Sequence, residues 1–369
     1  MLRNGYSKRV CIVVNHENTI LLFREELITA LKEKEHEVFV LLPSFCKGER
    51  IKQLGAQTVG YDLRQHGTNL IEEIRSLQSI LQKLKMIDPD IVLTYTVKPN
   101  LYAGAICRFK RIPYIATITG LGRGFEKSSL ISTVMLLSLR FSLRKAKRVF
   151  FQNERTEQCF VPQYVKPSQS ILVNGSGVSL EKNIFEEYPN NEVTQLLFVG
   201  RVTRDKGVKE LFDAVCSINK DNVKVKLLLV GPVEEDGEEY VKQVQGKEYI
   251  SFLGMKNQQM VHEHIKQSDA VIVPSYHEGM CNALLEAAAA GRPVITTKIP
   301  GCIETFEEEI TGFGCEPRNS DSLKACIEKF LSLDREERQS MGRHARAKME
   351  REFDRAGIIR KYVKQVETE

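Results

Sequence analysis

Short runs rich in Val, Ile and Leu alternate with amphipathic stretches of helical period, and the alternation occurs twice along the chain. Strands are expected at 9–14, 37–42, 56–60, 91–95, 113–118, 148–152 and 170–173, with helices at 22–34, 47–54, 70–86, 99–109 and 129–144. A second series places strands at 195–200, 225–231, 250–253, 270–273 and 293–296, and helices at 207–218, 236–245, 257–267, 282–290, 321–332 and 335–352. Strands separated by helices pair in parallel, because a parallel connection needs a crossover of a dozen or more residues. The expected fold class is therefore α/β, with two Rossmann-like doubly wound parallel sheets in a chain of 369 residues. Residues 179–194, polar and carrying Pro189-Asn190-Asn191, read as the linker. It separates an N-terminal domain, 1–180, from a C-terminal domain, 181–353. Ligands of open α/β sheets bind outside the carboxyl ends of the strands, so the expected site is a cleft between the two domains.

The segment Val271-Ile-Val-Pro-Ser-Tyr-His-Glu278-Gly-Met-Cys-Asn-Ala-Leu-Leu-Glu286 is the most informative chemically. A buried strand ends at Pro274, a glycine-bearing loop follows, and an alanine-rich helix starts near Asn282 with Glu286 expected in its first turn. A strand delivering such a loop onto a helix N-terminus makes a phosphate site. Two carboxylates eight residues apart flank it. They fit hydroxyl groups on either side of a diphosphate, which describes a nucleotide-sugar. Arg201 and Lys206 follow strand 195–200 directly. Two cations there would stabilise charge developing on a diphosphate leaving group.

These residues resemble the E-x7-E motif of retaining, GT-B-type glycosyltransferases of family 4. Gly200-Arg201-Val-Thr-Arg-Asp-Lys206-Gly207 resembles the family's G-R-x4-K-G element, and Pro300-Gly301-Cys302-x-Glu304 and Thr311-Gly312-Phe313 follow in the family's order. The resemblance implies a two-domain transferase that uses no metal and no cofactor besides its sugar donor. It implies that Glu278 contacts the donor sugar, that Glu286 holds ribose hydroxyls, and that Arg201 and Lys206 bind the diphosphate. Gly200, Gly231 and Met255 would lie beside the nucleotide, with the backbone of Gly279, Met280, Cys281 and Asn282 against phosphate or sugar. The family often has Phe and Pro near 280–281, where this chain has Met280-Cys281. Residues 354–369 would form the helix that crosses back to the N-terminal domain. Cys281 has no activating base beside it in sequence and reads as a small packing residue.

The N-terminal half faces something anionic. Residues 1–185 carry 27 Lys+Arg against 16 Asp+Glu, or +11, and the remaining 26 against 32 give −6, the two summing to the chain's +5. Residues 123–148 concentrate the excess: Arg123, Lys127, Arg140, Arg144, Lys145, Lys147 and Arg148 stand against Glu126 alone, among aliphatic residues. That pattern suits a helix lying on an anionic bilayer, or a core helix with a basic edge. Nucleic acid is not expected, since stacking aromatics are missing from the basic set. Acceptor-side candidates are His16 in a loop that lacks the family's usual glycines, Lys98 and Asn100 after strand 91–95, and Thr119, Gly120 and Gly122 in T-G-L-G-R-G. The last is not a dinucleotide fingerprint: position 125 is Phe, and no acidic residue follows a next strand. The stretches TYTVKPNLYAGAICR and ATITGLGRGF resemble enzymes that extend undecaprenyl-diphosphate-linked sugars with an N-acetylgalactosamine or related hexose from a UDP-sugar. Nine scattered cysteines without a C-x-x-C pair, and no visible signal peptide, suggest a reducing cytoplasm and a peripheral place on the inner membrane face. A nucleotide-sugar epimerase of the same fold and a non-catalytic assembly scaffold remain alternatives.

Overall fold

The computed structural model describes residues 7–63, 70–119 and 130–368. The chain divides into two compact units: residues 1–176 with 356–369, and residues 177–355. Residues 179–194 contain no helix or strand before Thr194, yet they belong to the second unit.

Unit 1 is a seven-stranded parallel sheet built from β1 (Arg9–Val13), β2 (Glu37–Pro43), β3 (Gln57–Tyr61), β4 (Ile91–Tyr95), β5 (Tyr114–Ile118), β6 (Arg148–Phe151) and β7 (Ser170–Leu172), in the order β3-β2-β1-β4-β5-β6-β7. Its central strands are apolar on both faces because helices cover both. The C-terminal helix Arg355–Glu367 supplies part of one cover. Tyr362 stacks on Phe150 at 3.9 Å between ring centroids, and its hydroxyl lies 2.9 Å from Thr117 Oγ1.

Unit 2 is a six-stranded parallel sheet of β8 (Thr194–Val199), β9 (Val225–Val230), β10 (Ile250–Gly254), β11 (Ala270–Val273), β12 (Val294–Thr297) and β13 (Gly312–Cys315), in the order β10-β9-β8-β11-β12-β13. In both sheets the order reverses beside the first strand. β1 and β4 are neighbours in unit 1, β8 and β11 in unit 2, and these are the switch points where a loop on each side can grip a ligand.

Among the described residues the structure differs from the sequence reading in four further places. β13 was not expected as a strand, because Gly-Phe-Gly-Cys has no apolar run; it is buried by pairing with β12. The helix Glu154–Phe160 was likewise not expected. The helix expected at 22–34 is two, Asn18–Leu21 and Glu25–Glu33, with the chain turning at Leu22–Arg24. The helix Asn282–Ala289 puts Glu286 in its second turn, not its first, so a favourable contact with the helix dipole does not explain this carboxylate.

Candidate active site

The loops after β8 and β11 meet at the unit 2 switch point. β8 runs into a single 3-10 turn, Arg204–Lys206, and then into the helix Val208–Ile218. Gly207, at φ +68°, joins them; a Cβ there would lie 2.0 Å from the Pro274 carbonyl oxygen at the end of β11. Only glycine allows this approach, which brings Lys206 to the second loop. Gly231, at φ +143°, does the same between β8 and β9, where a Cβ would come within 1.9 Å of the Gly200 carbonyl oxygen.

Lys206 Nζ donates to Glu278 Oε1 at 2.5 Å, with both side chains largely withdrawn from water. Burial alone would lower the Lys206 ammonium, but the Glu278 carboxylate outweighs it, and the net shift is upward. Lys206 is therefore a fixed cation across the working pH range. Arg201 is half-exposed, and its Nη1 donates to both oxygens of Glu234 at 3.0 Å each. The turn and the loop are further joined by Tyr276 N–H, which donates to the Asp205 carbonyl at 2.8 Å.

Gly279 is partly exposed, whereas Met280 and Cys281 are buried. Cys281 N–H donates to the Gly301 carbonyl at 2.8 Å, so the backbone here is tied to the P-G-C-x-E segment, whose Glu304 in turn accepts from Gly301 N–H at 2.7 Å. The neighbouring Cys302 thiol, and then burial, push the Cys281 thiol well above its usual range; it is a neutral packing group. Asn282 opens the helix, and its Oδ1 is buried with no hydrogen-bond partner among the described residues. Glu286 keeps some surface open to water, but protein atoms crowd round its carboxyl. Burial raises it to about 7, against the opposing charge of Arg355. Met255, after β10, is 76% exposed.

In unit 1, the loop after β1 carries His16, whose Nδ1 accepts from Asn18 N–H at 3.1 Å, and whose ring lies 6.3 Å from that of Phe45 after β2. After β4, Lys98 is paired with Glu73 at 3.0 Å. Asn100 is buried, accepting from Thr94 Oγ1 at 2.6 Å and donating to the Thr117 carbonyl at 2.9 Å; it holds the strand–helix junction rather than facing a ligand. Thr96, at φ +70°, is the strained residue of this edge, in a conformation that costs ~1–3 kcal/mol. Thr119 is half-buried in the loop after β5; Gly120 and Gly122 lie outside the described residues, as do residues 123–129.

Sequence reasoning missed Ser275, Glu234 and Tyr276. Ser275 stands three residues before Glu278, a spacing at which a hydroxyl reaches back to a neighbouring side chain, and that signal was available. Glu234 is separated from Arg201 by 33 positions, and nothing local announces it.

Comparison with known proteins decides the family. Residues 180–348 match the model of "Glycosyl transferases group 1", and residues 9–153 match that of "Glycosyl transferase 4-like". The chain is a family 4-type GT-B glycosyltransferase. Over 365 residues this glycosyltransferase is 25% identical to N,N'-diacetylbacillosaminyl-diphospho-undecaprenol alpha-1,3-N-acetylgalactosaminyltransferase of Campylobacter jejuni, covering 94% of this chain and 95% of that one. It is 27% identical over 274 residues to UDP-Gal:alpha-D-GlcNAc-diphosphoundecaprenol alpha-1,3-galactosyltransferase of Escherichia coli, covering 69% and 70%. Among solved structures, Anabaena HepE in complex with UDP and glucose superposes with a TM-score of 0.79 at 15% identity, covering 98% of this chain and all of that one, which shows the shared fold.

Proposed function

We propose that this glycosyltransferase moves a hexose or N-acetylhexosamine, with retention, from a UDP-sugar to a glycan carried on a polyprenyl diphosphate, in surface polysaccharide or glycan assembly. The observation that carries the reading is the meeting of Lys206 and Glu278 at the unit 2 switch point, with Glu286 one helix turn beyond. A cation for the departing diphosphate and two carboxylates for hydroxyls on either side of it are what a nucleotide-sugar requires. In this reaction the anomeric carbon–oxygen bond to the diphosphate breaks, the acceptor hydroxyl bonds to the same face, and its proton passes to the leaving diphosphate. Lys206 and Arg201 neutralise the charge that develops, with no metal. Gly200, Gly231 and Met255 border the nucleotide, and the backbone at 279–282 faces the phosphates. His16, Lys98 and Thr119 serve the acceptor. The names of both undecaprenol-linked relatives support the acceptor class.

UDP binding tests the reading. UDP at ~100 times its dissociation constant should add ~2.7 kcal/mol of stability in a thermal-shift assay, equally with EDTA. A shift with GDP or ADP alone would overturn the donor, and loss of the UDP shift in EDTA would overturn metal independence. Glu286 adds a pH signature. Its carboxyl is raised to about 7, so below that pH it is mostly protonated, and accepting ribose hydroxyls favours its ionised form. UDP affinity should therefore rise as pH climbs through about 7, and Glu286→Gln should flatten the profile. A wild-type profile in that variant would remove Glu286 from the nucleotide site.

The same reading places the enzyme against an anionic membrane through 123–148. Among the described residues no helix is long and apolar enough to cross a membrane. The helix Leu130–Leu143 buries Leu139 and Leu143 but leaves Val134, Leu137 and Phe141 exposed, beside exposed Phe109 and the cations Arg108, Arg140 and Arg144. Arg108 lies 3.9 Å over the Phe141 ring. Apolar side chains ringed by cations suit an anionic lipid surface. Wild type should sediment with phosphatidylglycerol vesicles at low salt, and Leu137→Glu with Phe141→Glu should abolish this; unchanged sedimentation would place the contact elsewhere.

A further inference from the structure

Glu278 is held by one edge. Its Oε1 accepts both from Lys206 Nζ at 2.5 Å and from Ser275 Oγ at 2.8 Å, while Oε2 accepts no hydrogen bond from any described residue. Ser275 is fully buried, and its carbonyl accepts from Thr297 Oγ1 at 2.5 Å at the end of β12. The next residue is anchored on the other side: the Tyr276 hydroxyl donates to Glu210 Oε2 at 2.6 Å, and Arg318 lies 4.8 Å over its ring. Ser275 thus has a backbone tied to the end of β12 and a single hydroxyl donor aimed at one carboxylate oxygen.

The two donors to Oε1 differ in kind. A lysine ammonium is a rotating point charge that can follow a carboxylate as it turns. A serine hydroxyl on a fixed backbone gives one directional bond. We infer that Ser275 is a positioning residue for sugar transfer, fixing the rotation of the Glu278 carboxylate so that Oε2 alone meets a hydroxyl of the donor sugar. The inference rests on the reading of Glu278 as the sugar contact. Its consequence is donor selectivity: without Ser275 the carboxylate turns about its bond to Lys206, and the hydroxyl it would grip is recognised less sharply. Catalytic groups gain from being held to within a fraction of an ångström by such supporting bonds.

The experiment is a coupling measurement. UDP-glucose, UDP-galactose and their N-acetyl forms are screened for transfer, and the donor turned over best is compared with its 3-, 4- and 6-deoxy forms. Wild type should lose kcat/KM with one deoxy donor in particular. In Ser275→Ala that penalty should shrink about threefold or more, the range of one directional hydrogen bond, while UDP affinity stays at the wild-type value. Ser275→Cys, which keeps the volume but donates weakly, should behave the same way and covers the case in which alanine disturbs the buried site. An unchanged deoxy penalty in both variants, with UDP affinity intact, overturns the positioning role. If Glu278→Ala shows the same deoxy penalties as wild type, Glu278 does not contact the sugar, and the underlying reading fails first. No turnover with any of these donors overturns the donor class and the inference with it.

Discussion

Lys206→Ala should lower kcat for sugar transfer at least ~10²-fold while the protein still folds, the scale on which removal of one fixed charge-stabilising donor acts. The size follows from placement. The side chain is only 18% exposed, so the charge it offers a diphosphate is weakly screened. It is held in position by Glu278, and that carboxylate keeps it cationic despite burial. An interaction that grows as the leaving group gains charge acts on the transition state more than on the ground state, so the loss should fall on kcat more than on KM. Lys206→Arg keeps the charge but not the compact ammonium that fits 2.5 Å from Glu278, and should recover only part of the rate. Single-turnover transfer rates decide the matter, and a wild-type rate in Lys206→Ala would remove this residue from the catalytic site.

Arg292→Ala should produce the largest loss of stability. Arg292 is fully buried, and among the described residues its guanidinium meets backbone carbonyls rather than a carboxylate. Nε donates to Ile265, Nη1 to Glu186, Ala290 and Gly291, and Nη2 to Glu187 and Lys266, at 2.6–3.2 Å. The planar fork gathers three separate stretches of backbone, including residues 186–187 of the segment that reads as the linker. Burial lowers the guanidinium from its usual range, and Tyr188 and Glu186 oppose that shift. Alanine would strand these carbonyls and leave a cavity, which should cost about 3–5 kcal/mol. At roughly 2–4 °C per kcal/mol for a unit of this size, the calorimetric transition of unit 2 should fall by about 6 °C or more. A fall under about 2 °C would show that the carbonyls find other partners. Arg292→Lys should rescue little, since three donors on a flexible stem cannot serve six acceptors.

The alternation of apolar runs and helices made both sheets legible, because a strand covered on both faces must be apolar along its whole length. It failed where that logic does not apply. β13 is Gly-Phe-Gly-Cys, buried by its neighbours and not by its own composition. The segment 179–194 is polar and irregular, so it reads as a linker; Arg292, about a hundred positions later, helps to pin it, as do Arg335 and Arg346.

The site divides along the same line. Arg201, Lys206, Glu278 and Glu286 were legible as candidates in the sequence, because the two short elements that carry them resemble a family's motifs and such spacing is local. The sequence likewise determined the excess of positive charge in the N-terminal half. Only the tertiary structure decided that Lys206 and Glu278, 72 positions apart, meet as a pair, and that Glu234 faces Arg201. It also decided that Asn100, a polar residue in the first turn of the helix after β4, turns inward to serve the sheet. The physical reason is the parallel sheet itself: neighbouring strands β8 and β11 come from distant parts of the chain, so the partners that tune each functional group are set by strand order, and strand order is not written in any short window of residues.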